Sequence, residues 1–300
     1  MTQIQNEWRR RLSPLADYQF QPSLELVRTY RFERFDAELY RQANGPGTFQ
    51  RLLKVFPKNV TGKLPAVATP FYFPEAMIGF ELDSLEHLPF YDGITMMADL
   101  AQRGFICASA DSYHLTYLDS ALPRGDFARW RLSGEALLRD HPQWCGIGKL
   151  TADTKLVVDA LADDPRVDAT RIGIAGHSLG GKMAFYEGCL DRRVKVILAS
   201  DFGIGWDQTN WKDVWYWGER VDELKRLGMD HSQLLGMSDG KPFCLLAGKY
   251  DNEESRAIMQ RAGGYESCPE RLVCINHATG HRPPQDALEQ GYHFLERWLQ

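Results

Sequence analysis

The chain has 300 residues, 44% of them hydrophobic and 25% charged, with a net charge of −5. That is enough for a large core in one α/β domain, and the mild acidity leaves no basic footprint for nucleic acid. No apolar run approaches the ~20 residues of a membrane span, and the first residues carry charges with no apolar stretch behind them, so neither a membrane anchor nor a secretory signal is expected.

Residues 1 to about 24 read as a lead-in helix, punctuated by Pro14 and Pro22. Leu26 to Phe35 alternates apolar and polar residues as a strand does, Asn44-Gly45-Pro46-Gly47 is a turn, and Thr48 to Phe56 is a second strand, expected to pair antiparallel with the first. Pro65 to Pro70 and Phe105 to Ala110 are buried strands, separated by a helical spacing over Tyr91 to Arg103 that Gly104 stops. Periodicity weakens from Asp111 to Gly148, which predicts an insertion of loops and short helices.

Thr151 to Ala162 then spaces apolar residues as a helix, and Arg171 to Ala175 is a short apolar strand. Val194 to Ser200, Phe243 to Gly248 and Leu272 to Asn276 are further apolar runs, and Pro283 to Leu299 closes the chain as a helix. Strands as continuous apolar runs, alternating with helices, predict a mostly parallel sheet buried on both faces. Residues 201 to 240 interrupt the pattern with Trp206, Trp211, Trp215 and Trp217, half of the chain's eight tryptophans, and are expected to arch over a site as a second insertion. The six cysteines form no C-x-x-C pair and read as small core residues of a reducing, cytoplasmic protein.

The chemistry concentrates at Gly176-His177-Ser178-Leu179-Gly180, between a strand and a helix. A serine on so sharp a turn needs a strained backbone, and only small residues fit two positions to either side. The helix behind it presents free N–H groups to an oxyanion. Ser178 is thus the candidate nucleophile. His281, after the last strand, is the candidate base, with His277 its competitor. Asp251, after the strand before that, is the candidate acid, with Asp201 as the alternative. The order Ser178, Asp251, His281 fits this type of turn. Leu179 offers one oxyanion N–H, while Phe71 or Tyr72 offers the second, since Pro70 has none. Tyr113, His177, Asp201, Trp206 and Trp211 are candidate substrate contacts, with His114 and Trp144 weaker ones.

Val167 to Gly173, Gly176 to Lys182, Asp191 to Lys195 and Gly280-His281 together resemble the α/β-hydrolases of the dienelactone-hydrolase and acetyl-xylan-esterase kind, relatives of the prolyl-oligopeptidase catalytic domain. The resemblance covers about residues 48 to 300. It implies a mostly parallel eight-stranded sheet with helices on both faces, a serine esterase mechanism, and no metal or organic cofactor. It favours the His of the Gly-His pair, His281, over His277. Where many relatives carry His-Gly after the third strand, this chain has Thr69-Pro70-Phe71-Tyr72, which brings the Tyr72 hydroxyl into question as a participant. The expected function is hydrolysis of a small or sugar-derived carboxylic ester, deacetylation included, with neither nucleic acid nor a membrane as partner. A peptidase of the prolyl-oligopeptidase type and a non-catalytic binding protein on the same fold are the alternatives. Oligomeric state is not readable from the sequence.

Overall fold

Nine strands form one sheet in the order β1-β2-β3-β5-β4-β6-β7-β8-β9 in the computed structural model, which describes residues 3–12, 23–45 and 47–300. The strands are β1 Leu24–Arg31, β2 Phe35–Gly45, β3 Thr48–Pro57, β4 Leu64–Ala68, β5 Ile106–Ala110, β6 Val167–His177, β7 Val194–Ser200, β8 Phe243–Ala247 and β9 Leu272–Asn276. The helices are α1 Gln3–Leu12, α2 Pro74–Ile78, α3 Met96–Gln102, α4 Tyr113–Thr116, α5 Phe127–Asp140, α6 Gly146–Ala162, α7 Leu179–Leu190, α8 Arg220–Arg226, α9 His231–Gly236, α10 Glu253–Gln260 and α11 Gln285–Leu299. Pro14, Pro22 and Pro46 lie outside the described residues.

The first three pairings, β1 with β2, β2 with β3 and β3 with β5, are antiparallel, and the remaining five are parallel. The apolar runs sit where a two-sided core needs them: every residue of β5 and β8 is buried. One face packs on α6 and α7 through Leu150, Val157, Phe185 and Tyr186. The other packs on α3 and α11 through Leu100, Leu288 and Leu295.

The expected eight strands become nine, because β2 intervenes between the two predicted to pair with each other. Its inward residues Phe35, Ala37 and Leu39 alternate with Asp36, Glu38 and Tyr40, and its far end buries the polar Gln42 and Asn44. Their amide N–H groups find acceptors: Gln42 donates to the Leu156 carbonyl at 2.9 Å and Asn44 to Gln50 at 3.2 Å, while Gln50 donates to Gln42 at 2.7 Å. A strand with a charged outer face and a polar buried end carries too few apolar residues to announce itself.

Two further elements differ. The helix expected over Tyr91 to Arg103 shrinks to α3, preceded by a single 3₁₀ turn at Pro89–Tyr91. The segment 111–148 holds a regular fourteen-residue helix, α5, started by the Asp126 carboxylate accepting from the Ala128 N–H at 2.8 Å.

Strand order fixes where a site can lie. The chain leaves β4 for β5 on one side and returns past it to β6 on the other. The crevice of such a sheet opens at the carboxyl ends of these strands, where their loops part. β6 and β7 end in register, His177 opposite Ser200, so the next residues, Ser178 and Asp201, are neighbours.

Candidate active site

Ser178 stands between the last residue of β6 and the first of α7 with φ 56° and ψ −115°, a conformation non-glycine residues rarely adopt. The glycines around it are sterically required. A Cβ on Gly176 would lie 2.1 Å from the Gly180 carbonyl oxygen, and a Cβ on Gly180 would lie 2.1 Å from that of Pro70. The second contact also shows that the loop after β4 lies directly against the turn. Leu179, as first residue of α7, has an N–H without an intrahelical acceptor.

His281 Nε2 lies 3.0 Å from Ser178 Oγ, and His281 Nδ1 lies 2.7 Å from Asp201 Oδ2. A carboxylate only accepts, so Nδ1 carries the proton and Nε2 is left to accept from the serine hydroxyl. Burial pushes the Asp201 carboxyl up. The hydrogen bonds from His281 and from the Asp251 and Tyr250 N–H groups outweigh that, and the net is a value below the usual carboxylate range.

Sequence reading selected Asp251 as the partner of His281; the structure puts Asp201 there. Asp201 follows β7 immediately, and its N–H extends the sheet by donating to the Leu246 carbonyl at 2.8 Å. Asp251 lies beyond the end of β8, and its carboxylate turns away, accepting from Gly203 N–H at 2.9 Å, Ile204 N–H at 2.8 Å and Ser255 Oγ at 2.9 Å. His277 bonds Thr279 Oγ1 through Nδ1 at 2.8 Å and takes no part in the relay.

A cavity of about 570 Å³ opens over Ser178 and His281. Phe71, Tyr72 and Phe73 after β4, Tyr91 and Ile94, and Phe127 and Trp130 of α5 make one wall. Thr209, Asn210, Asp213, Tyr216 and Lys182 make a more polar end. Tyr72 and Ser178 line the same cavity, and burial holds the Tyr72 phenol well above its ordinary value, so it stays neutral. His177 lines the cavity with its ring 4.5 Å from that of His281. Burial and the neighbouring His281 push it down to about 3, so His177 is neutral.

Three expected substrate contacts are placed elsewhere. Tyr113, Trp206 and Trp211 stand behind the cavity wall with their polar atoms bonded to backbone carbonyls: Tyr113 Oη to Trp215 at 3.0 Å, Trp206 Nε1 to Met229 at 2.8 Å, and Trp211 Nε1 to Gly203 at 2.7 Å. His114 is fully buried and stacks on Trp130 from behind.

Lys182 is the residue sequence reading missed. Its signal was a charge, one of two with Glu187, in a helix whose other residues are apolar or small. Its ammonium donates to the Phe202 carbonyl at 2.8 Å and lies over the rings of Trp211 and Tyr216. Burial pushes it down to about 7. Among the described residues, no group of three or more His, Cys, Asp or Glu is placed to hold a metal ion, and no helix is long and apolar enough to cross a membrane.

No family model and no curated protein matches the chain by sequence. Solved structures match it by shape. A Bacteroides fragilis protein assigned as an acetyl xylan esterase superposes with a TM-score of 0.70 at 14% identity, covering 93% of this chain and 76% of that one. The glucuronoyl esterase of Solibacter usitatus gives 0.68 at 12% identity, covering 100% and 95%. Acetyl xylan esterase 1 of a Thermoanaerobacterium species gives 0.64 at 15% identity, covering 99% and 94%. The chain has the α/β-hydrolase fold. In this fold the Ser178 turn, the loop after β4 and the loops after β7 and β9 converge at one end of the sheet, where the cavity lies.

Proposed function

We propose that the protein is a serine carboxylester hydrolase acting on a small or sugar-derived ester, with Ser178, His281 and Asp201 as its catalytic triad. The observation that carries this is the unbroken hydrogen-bonded relay from Ser178 through His281 to Asp201 at the floor of the cavity. It stands against the binding-only alternative. The structural neighbours named for acetyl xylan and glucuronoyl esters point to the same substrate class.

In this reading Ser178 Oγ attacks the ester carbonyl as its proton passes to His281 Nε2. The oxyanion takes hydrogen bonds from the Leu179 N–H and from the loop after β4, through the N–H of Phe71 or Tyr72 and the Tyr72 hydroxyl. The carbonyl–oxygen bond then breaks, the leaving alkoxide takes the proton from His281, and water repeats the sequence to free the acid. Asp201 keeps the imidazole in its Nδ1–H tautomer and stabilises the imidazolium. Aromatic walls facing a polar end suit a ring with apolar faces and hydroxylated edges. Segments 111–148 and 201–240 act as the two covers of the site, since both contribute lining residues. The unpaired cysteines support a reducing, cytoplasmic setting.

The test is hydrolysis of p-nitrophenyl acetate, acetylated xylo-oligosaccharides and a methyl glucuronate ester by the wild type and by Ser178→Ala. Ser178→Ala is expected to lose on the order of 10⁴-fold or more in kcat. Turnover by a folded Ser178→Ala protein at the wild-type rate would end the proposal.

A further inference from the structure

Asp251 is fully buried, accepts from three donors and touches neither Ser178 nor His281, yet it lies one loop from the relay. Its surroundings are reciprocal with those of Asp201. Asp201 Oδ1 accepts from the N–H groups of Gly248 at 3.1 Å, Tyr250 at 2.8 Å and Asp251 at 3.0 Å, all on the loop after β8. Asp251 accepts from the N–H groups of Gly203 and Ile204, both on the loop after β7. Each loop therefore wraps its backbone around the carboxylate of the other.

This interlock has something to hold. Asp201 has φ 41°, in the left-handed region, where a side-chain-bearing residue persists only if its surroundings over-determine it. Gly203, two residues on, has φ 69°, and a Cβ there would meet Thr209 at 2.6 Å. The far side of the loop is fixed as well: the Gly203 carbonyl accepts from Trp211 and the Ile204 carbonyl from His231. With the outer edge tied to the aromatic segment, the inner edge depends on Asp251.

We propose that Asp251 is a positioning residue: by gripping Gly203 and Ile204 it holds Asp201 in the strained conformation that aims Oδ2 at His281. This rests on the proposed triad and adds a role for the second acid. Replacing Asp251 by Asn turns an amide group toward one of two backbone donors and opens the grip on one side, while the chain keeps its shape and volume. Asp201 then loses its fixed direction, and a misplacement of about 1 Å is enough to cost up to ~10²-fold in rate.

The experiment compares wild type, Asp251→Asn, Ser255→Ala and Asp201→Asn by steady-state hydrolysis of p-nitrophenyl acetate and by the low-field proton resonance of the His281 Nδ1–H. Asp251→Asn is expected to lower kcat roughly 10- to 100-fold with KM within about twofold, and to shift or broaden that resonance. Ser255→Ala, which leaves the two backbone donors to Asp251 and removes the hydroxyl donor together with that hydroxyl's bonds to the Asn252 N–H and Gln208, moves both readouts the same way by less, and serves if Asp251→Asn does not fold. Asp201→Asn lowers kcat on the order of 10⁴-fold. Wild-type kcat with an unchanged resonance in Asp251→Asn overturns the proposal. So does a loss equal to that of Asp201→Asn with the resonance intact, which would give Asp251 a direct role. The resonance reports the His281–Asp201 bond whether or not an ester is turned over, so failure of the esterase reading is recognised separately, by absent Ser178-dependent hydrolysis in the wild type.

Discussion

Gly180→Ala tests whether the loop after β4 works together with the Ser178 turn. The added methyl would lie 2.1 Å from the Pro70 carbonyl oxygen and 3.2 Å from the Phe71 ring. A carbon and a carbonyl oxygen that are not bonded need a little over 3 Å, so Pro70 must retreat by about 1 Å. It is the residue just before Phe71 and Tyr72, the proposed oxyanion loop. The retreat withdraws that half of the hole while Leu179, His281 and Asp201 stay in place. Loss of one oxyanion donor costs about 10²- to 10³-fold in kcat, or roughly 3–4 kcal/mol. Alanine's better helix propensity returns at most about 1 kcal/mol of stability, less than the strain of the close contact. The assay is kcat and KM for p-nitrophenyl acetate beside the thermal midpoint, with Gly181→Ala as a control that meets Phe202 Cβ at 2.9 Å and not the loop. The expected result is a kcat loss of at least ~10²-fold with a small KM change. A Gly180→Ala protein within threefold of wild type would refute the placement of the second donor on this loop.

Trp8 of α1 is fully buried among Trp206, Trp217 and His231, so Trp8→Ala is expected to cost about 3–5 kcal/mol in urea denaturation; an unchanged midpoint would mean that α1 does not dock there. Burial and the nearby Asp191 raise the Glu187 carboxyl well above its ordinary value, so the native state keeps a proton that the unfolded chain releases above about pH 4.5. That group's contribution is fully present below about pH 4.5 and is lost as pH rises toward its raised folded value, so Glu187→Gln should gain on wild type as pH rises from there. Parallel stability curves for the two proteins between pH 4.5 and 7 would contradict this.

What the sequence revealed followed from local sterics and patterning. The Ser178 turn was legible because its neighbours must be glycine. The core strands from β4 to β9 were legible because burial on both faces demands continuous apolar runs. β2 was hidden by its polar outer face. The choice between Asp201 and Asp251 was not legible, because both follow core strands and both precede His281. Only the path of the loops decides which carboxylate meets the imidazole, and here each loop closes on the other's acid. The aromatic richness of 206–217 offered Trp206 and Trp211 as substrate contacts. Instead the indole N–H groups of Trp206 and Trp211 find backbone carbonyls and draw both rings into the wall, while the cavity surface comes from residues scattered over 71–73, 91–94 and 127–130. No periodicity marks such a surface, since these residues come from two separate loops and one helix.

The central claim, a nucleophilic Ser178 activated by His281, is tested most directly by intact-mass and peptide mapping of the folded protein after exposure to a fluorophosphonate. A single phosphonyl group on Ser178, absent from Ser178→Ala and formed much more slowly in His281→Ala, is the predicted result. A folded wild-type protein that takes up no adduct, or one labelled equally when Ser178 is replaced, would contradict it.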